Sequence, residues 1–333
     1  MYKKENTIYL LLFLIILTLL FFREYLYTYR MMLTNFVPYD FYQNQVLYFA
    51  TLDENYKLTL PSAVRLIPIL FYLIIYKTFP CLTLTNIKQD LSQDYICATN
   101  AVAVGNYIAL ISILVIFFAY QVINLEKSKE EGYLSLILCY AILKYLDHFT
   151  IDRFVVLYLI ILLFFINNLK IAIPLILLSF FVSEKVFFII GILFFIRFFT
   201  QQDKKKYIKI FMSAIIACIF YFFLIKIGKN YFQFYEFQFD IYQMLKMFYD
   251  KSAISGSLLP LLISLSPYIF WNSEINNIYR NQRIEFLIPL SLVLFGFLGG
   301  VENTARYVTH SFPIWLPILT TRINQILRLG NSK

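Results

Sequence analysis

The sequence predicts an all-α, polytopic membrane protein, and three observations carry that prediction. Of the 333 residues 60% are hydrophobic, and the mean hydropathy of +0.68 exceeds that of water-soluble domains of this length. Several apolar runs have the length and purity of membrane helices: 8–22, 101–123, 154–166, 208–227 and 286–298. The short gaps between such runs alternate in charge, which hydrophobicity alone does not require. Basic gaps (Lys3-Lys4, Lys127/Lys129, Lys204–Lys206, Arg280/Arg283, Arg322/Arg328) take turns with gaps that carry acids. Basic connections mark the cytoplasmic side of a multi-pass protein. The acids then collect on the opposite side.

Taken in order, the first span covers 8–22 behind Lys3-Lys4; the bulky sequence after it, Phe21-Phe22-Arg23-Glu24-Tyr25, offers no small-residue cleavage site, so the span is expected to stay. A first external segment follows at 23–100, then a second span at 101–123. Further spans are expected near 133–147, 153–167, 170–183, 186–200, 207–228, 257–271, 285–300 and 311–326, about ten in all, with both termini cytoplasmic. The run Leu66–Tyr76 has Pro68 and an arginine at its start. A crossing there would turn Lys127/Lys129 and Lys204–Lys206 outward, so it is expected as an external interfacial helix. The stretch 171–199 is expected to split into two short helices meeting outside at Ser183-Glu184-Lys185. A single span would bury both charges near its middle, at roughly 2.5–3.5 kcal/mol each. The second external segment, 229–256, is rich in Tyr, Phe and Gln and is expected to lie at the interface. Residues 1–333 thus form one transmembrane domain, without repeat or linker.

Four cysteines are too few for a disulfide scaffold. Cys139 and Cys218 fall in predicted spans as packing residues, whereas Cys81 and Cys97 flank one external polar segment where a disulfide is plausible. There is no glycine-rich phosphate loop, no Cys/His cluster and no Gly-x-Ser-x-Gly elbow. No metal centre is expected, and no nucleic-acid partner, since flanking charges account for much of the net +9. His148 and His310 read as interfacial polar residues.

The chemistry is sought on the acid-bearing side. Asp40, between aromatics in Pro38-Tyr39-Asp40-Phe41-Tyr42, suits either a helix cap or a general base in a partly apolar pocket. Arg65 suits a phosphate or a carboxylate, and the alternative is an arginine snorkelling to the interface. Asp152-Arg153 opens a clean span, and Glu184-Lys185 does nothing to help a membrane hairpin insert. Glu302, Arg306 and Tyr307 stand between the last two spans.

This order of motifs resembles the GT-C superfamily of polytopic glycosyltransferases. The likeness rests on aromatic-flanked Asp40, on Arg65-Leu66-Ile67-Pro68, on Asp152, on Ser183-Glu184-Lys185, and on Glu302…Arg306-Tyr307 followed by Pro313. It implies a cell-membrane enzyme, with a bacterial inner membrane expected, that works on the outward face. A sugar passes there from a polyprenyl-phosphate donor to a glycolipid, glycan or protein acceptor. Asp40 is then the candidate base, and Arg65, Asp152, Arg153, Glu184, Lys185, Glu302, Arg306 and Tyr307 bind substrate or its phosphate. Many such enzymes set a second acid beside the first; here Tyr39 and Phe41 flank Asp40, so no divalent metal or other cofactor is implied. A transporter or flippase of a lipid-linked saccharide is the rival from another class, and an O-antigen polymerase-like enzyme a related one.

Overall fold

The computed structural model describes residues 41–53, 56, 58–60, 62–81, 92–143, 152–200, 203–230, 233–234, 261–272, 275, 280–298 and 308–331. Apart from a two-residue parallel bridge, β1 (Thr59–Leu60) with β2 (Gln233–Phe234), these residues are helical or connect helices. The helices are α1 (Phe41–Thr51), α2 (Leu66–Thr78), α3 (Gln93–Ala119), α4 (Lys129–Leu143), α5 (Asp152–Phe165), α6 (Leu169–Leu178), α7 (Glu184–Thr200), α8 (Lys204–Gly228), α9 (Leu287–Leu298) and α10 (Phe312–Asn331). A short helical stretch at 261–269 precedes α9.

Local chemistry sets the ends. Ser92 caps α3 by accepting the Tyr95 N–H at 3.3 Å, and Asp203 caps α8 by accepting the Lys206 N–H at 3.3 Å. Because Ser92 starts the helix, α3 begins eight residues ahead of the apolar run read from the sequence. It then continues through a π-helical turn, Tyr120–Asn124. Asn168 caps α6, which holds Pro174 and passes through a 3-10 turn at Ser179–Phe181 before α7. The stretch 171–199 is therefore two helices parted at Val182-Ser183.

Two helices among the described residues are long and apolar enough to cross a membrane, Gln93–Asn124 (32 residues) and Lys204–Gly228 (25 residues). Leu66–Thr78 and Leu169–Phe181 are apolar but shorter. The surface of α8 fits lipid: Ile219, Phe220, Phe222 and Phe223 are each more than half exposed. Water would penalise such a stripe, whereas acyl chains would not. Its other face carries Ser213, Ala214 and Ala217, packed on α7, where a Cβ on Gly191 would lie 3.6 Å from the Ala214 Cβ. Small residues let backbones approach where no water drives association.

The arrangement of α2 differs from the expected helix lying across the outer surface. It runs antiparallel along α3. Tyr72 donates to Asn106 Oδ1 at 2.8 Å, and beyond the end of α2 the Asn100 amide reaches the Pro80 carbonyl. A disulfide then joins Cys81 to Cys97. The cause is a notch: a Cβ on Gly105 would lie 2.5 Å from the Tyr72 ring, so only glycine admits this close pairing. α1 rises beside α2, its far end marked by Lys77 donating to the Ala50 carbonyl. The starts of α1, α2, α5 and α7 thus meet at one level of the bundle, about halfway along α3.

Candidate ionic site

At that level a polar layer forms from segments far apart in the chain. Arg65, just ahead of α2, donates through Nη2 to both Glu184 oxygens at 2.9 Å and through Nη1 to the Tyr42 hydroxyl at 3.3 Å. Glu184 Oε2 also accepts from the Tyr221 hydroxyl at 3.1 Å and from Ser183 Oγ at 3.2 Å. Beside this pair, Lys185 Nζ donates to Asp152 Oδ1 at 3.0 Å, and His310 Nε2 lies 3.1 Å from the same oxygen. Arg153 Nη1 donates to the Asn106 carbonyl at 3.3 Å, and Asn106 links onward to Tyr72.

Each position follows from a helix end. Glu184 and Lys185 open α7 ahead of its apolar run, and Asp152 opens α5, so carboxylates stand where helix N-termini favour negative charge. Tyr42 lies in the first turn of α1, and His310 just precedes α10. Burial is near complete: Asp152 is 1% exposed, His310 0%, Arg153 5%, Lys185 7% and Glu184 9%. Burial alone would raise the Glu184 carboxyl, but Arg65 and then Lys185 overcome it and hold it at about 2. The layer sets Arg65, Arg153 and Lys185 beside Asp152 and Glu184, with the His310 ring against Asp152. No group of three or more His, Cys, Asp or Glu that could hold a metal ion occurs among the described residues.

Of the residues singled out from sequence, the structure brings Arg65, Asp152, Arg153, Glu184 and Lys185 together. Asp40, Glu302, Arg306 and Tyr307 lie outside the described residues, as does His148; Phe41 and Tyr42 follow Asp40 directly. Arg65 is committed to a carboxylate partner inside the protein. His310, expected at the interface, is buried against Asp152, because the turn before α10 enters the bundle rather than ending at its surface. Tyr42, Tyr72, Asn106 and Tyr221 were missed; Asn106, a polar residue inside an apolar run, was the one available signal.

A second buried polar region lies at the other end of the bundle. Arg197 Nε donates to Glu285 Oε1 at 2.6 Å, near a pocket lined by Tyr120, Leu125, Leu163, Gln282, Ile314 and Pro317. Lys127, expected as a solvated flanking charge, is instead 8% exposed. Its ammonium donates to the Pro317 carbonyl, to Thr320 Oγ1 at 3.0 Å and to Thr321 Oγ1 at 2.9 Å, with Glu131 at 3.7 Å. The reason is the position of α10, which lies against α4 and covers the α3–α4 connection. Cys139 is buried and Cys218 half-buried, both as free thiols.

No protein-family model matches this chain, and neither does any curated protein or solved structure.

Proposed function

We propose that the chain is a polytopic membrane glycosyltransferase of the GT-C kind. It moves a sugar from a polyprenyl-phosphate donor to a glycolipid, glycan or protein acceptor on the non-cytoplasmic face, in a cell membrane of bacterial inner-membrane type. In this topology the chain crosses about ten times, the crossing part of α7 begins at Val186, and the ionic layer lies toward the outer side. Support comes from one observation. Arg65, Asp152, Arg153, Glu184, Lys185 and His310, from four places in the chain, converge in one buried layer. Well-packed apolar residues serve stability as well as buried ion pairs do, so a layer of this size suits a site better than a strut.

In the reaction an acceptor hydroxyl attacks the anomeric carbon of the donor. Asp40 takes the hydroxyl proton as the new C–O bond forms. The bond to the lipid phosphate breaks, and the phosphate leaves with the electron pair. Lys185 and Arg153, with Arg306, offset the charge that grows on it. Arg65 and Glu184, locked to each other, are positioning residues: they fix Tyr42 and Tyr221 and the entrance of α7. Asp152 holds the Lys185 ammonium and the His310 ring in place.

The test is sugar transfer by purified protein in liposomes. Asp40→Asn should abolish transfer while leaving the protein folded and inserted. Full activity in that variant would remove Asp40 from the mechanism. Transport of the intact lipid-linked saccharide, without cleavage of its phosphate–sugar bond, would point to the flippase instead.

A further inference from the structure

The first turns of α1 bury more polarity than they satisfy. Gln45 is 0% exposed, and neither its Oε1 nor its Nε2 finds a hydrogen-bond partner among the described residues; Gln43 Oε1 is in the same condition. An unmet buried polar group costs roughly 1–3 kcal/mol. An amide with both ends unmet is therefore a poor packing residue, since Met or Leu would fill the space without that penalty. Val46 and Leu47, fully buried beside it, show that the helix has apolar choices at this depth.

Gln45 is also close to the ionic layer. It follows Tyr42 by three residues, so the two share a helix face and lie about 4.5 Å apart along the axis. Tyr42 accepts from Arg65, the partner of Glu184, and its ring packs edge-on against Tyr72 with centroids 6.4 Å apart. The amide thus stands one turn along α1 from Tyr42, on the side toward which α1 runs.

We infer that Gln45 is a recognition residue for the uncharged, hydroxyl-bearing part of the donor, the sugar ring itself. This rests on the glycosyl-transfer reading given above and divides the labour of that site. A carboxamide presents one acceptor and two donors, and neighbouring hydroxyls on a sugar present the complementary set. A phosphate needs cations and takes nothing from the amide oxygen, so it is left to Lys185 and Arg153. The amide stays unmet until the sugar arrives. Gln121, in the π-helical turn, is buried and unmet in the same way; what singles out Gln45 is its place one turn from Tyr42 and Arg65.

The experiment uses the full chain in lipid nanodiscs, with polyprenyl phosphate presented bare and carrying glucose, galactose or mannose. Gln45→Met and Gln45→Leu are compared with wild type and with Lys185→Gln. Wild type should bind at least one glycosylated lipid more tightly than the bare phosphate. Both Gln45 variants should lose roughly tenfold in affinity for that lipid while binding bare polyprenyl phosphate as before, and should melt at or above the wild-type temperature. Lys185→Gln should weaken both probes alike. Unchanged affinity of the Gln45 variants for the glycosylated lipid would overturn the inference and leave the phosphate site standing. So would failure of both variants to fold, which would mean that the amide has a structural partner. Absence of any binding to wild type would remove the glycosyl-transfer reading, and the inference with it.

Discussion

The two ends of this bundle both bury charge, and they do so differently. At the α5–α7 entrance, side chains from five segments meet, and each carboxylate serves several partners: Glu184 holds Arg65, Tyr221 and Ser183, while Asp152 holds Lys185 with His310 alongside. At the opposite end Lys127 is met by the carbonyl and hydroxyls of α10 and by Glu131 of α4, and Arg197 is met by Glu285. Lys127 is a bolt between the α3–α4 connection and α10. Buried charge alone therefore does not mark a site; convergence from many segments onto shared groups does.

The largest way to break the comparison is Glu184→Ala, which strands the Arg65 guanidinium. Removing one partner of a buried pair costs about 3–5 kcal/mol, and thermal unfolding in detergent should show a loss of that size together with loss of transfer. The double variant Arg65→Met with Glu184→Leu should recover most of the stability and none of the transfer. Recovery of both would make the pair a strut. Next comes the disulfide tie between the end of α2 and the start of α3. Cys81→Ser opens a loop with a sequence separation of 16, which should lower stability by about 3 kcal/mol, read as the difference between oxidised wild type and variant.

At the other end Lys127→Met should cost about 1–3 kcal/mol, through the hydroxyls and carbonyl it leaves, with transfer unchanged. Last comes the response to pH. Glu184 titrates at about 2 in the folded protein against an ordinary 4.5, so its stabilisation is full above 4.5 and lost as pH falls toward 2. Burial of Lys127, only partly offset by Glu131, lowers it from 10.5 to about 8. The unfolded chain then binds more protons in that interval, and stability should rise as pH climbs from about 8 to 10.5. Lys127→Met should erase the upper slope and leave the lower one.

Much of the layer was legible in the sequence for a physical reason. Arg65, Asp152, Arg153, Glu184 and Lys185 stand against apolar runs, where a charge is expensive enough to demand an account. The break at Ser183 followed from the same cost. Tyr42, Tyr72 and Tyr221 were hidden among 27 tyrosines, since a phenol at a membrane boundary is ordinary. His310 carried no cluster in sequence; its partner Asp152 is brought to it by folding alone. Arg197 and Glu285, 88 positions apart, had no local pattern to pair them. The first turns of α3 were missed because hydropathy marks where a helix becomes apolar, whereas Ser92 decides where it starts.

On the proposed function, sugar transfer occurs at the convergent layer and the opposite end only holds the bundle together. The rate of transfer from a polyprenyl-phosphate sugar, measured in liposomes for wild type, Asp152→Asn and Lys127→Met, tests it most directly. Transfer by wild type and Lys127→Met, with Asp152→Asn inactive though folded, is the predicted result. Equal rates for Asp152→Asn and wild type would contradict it.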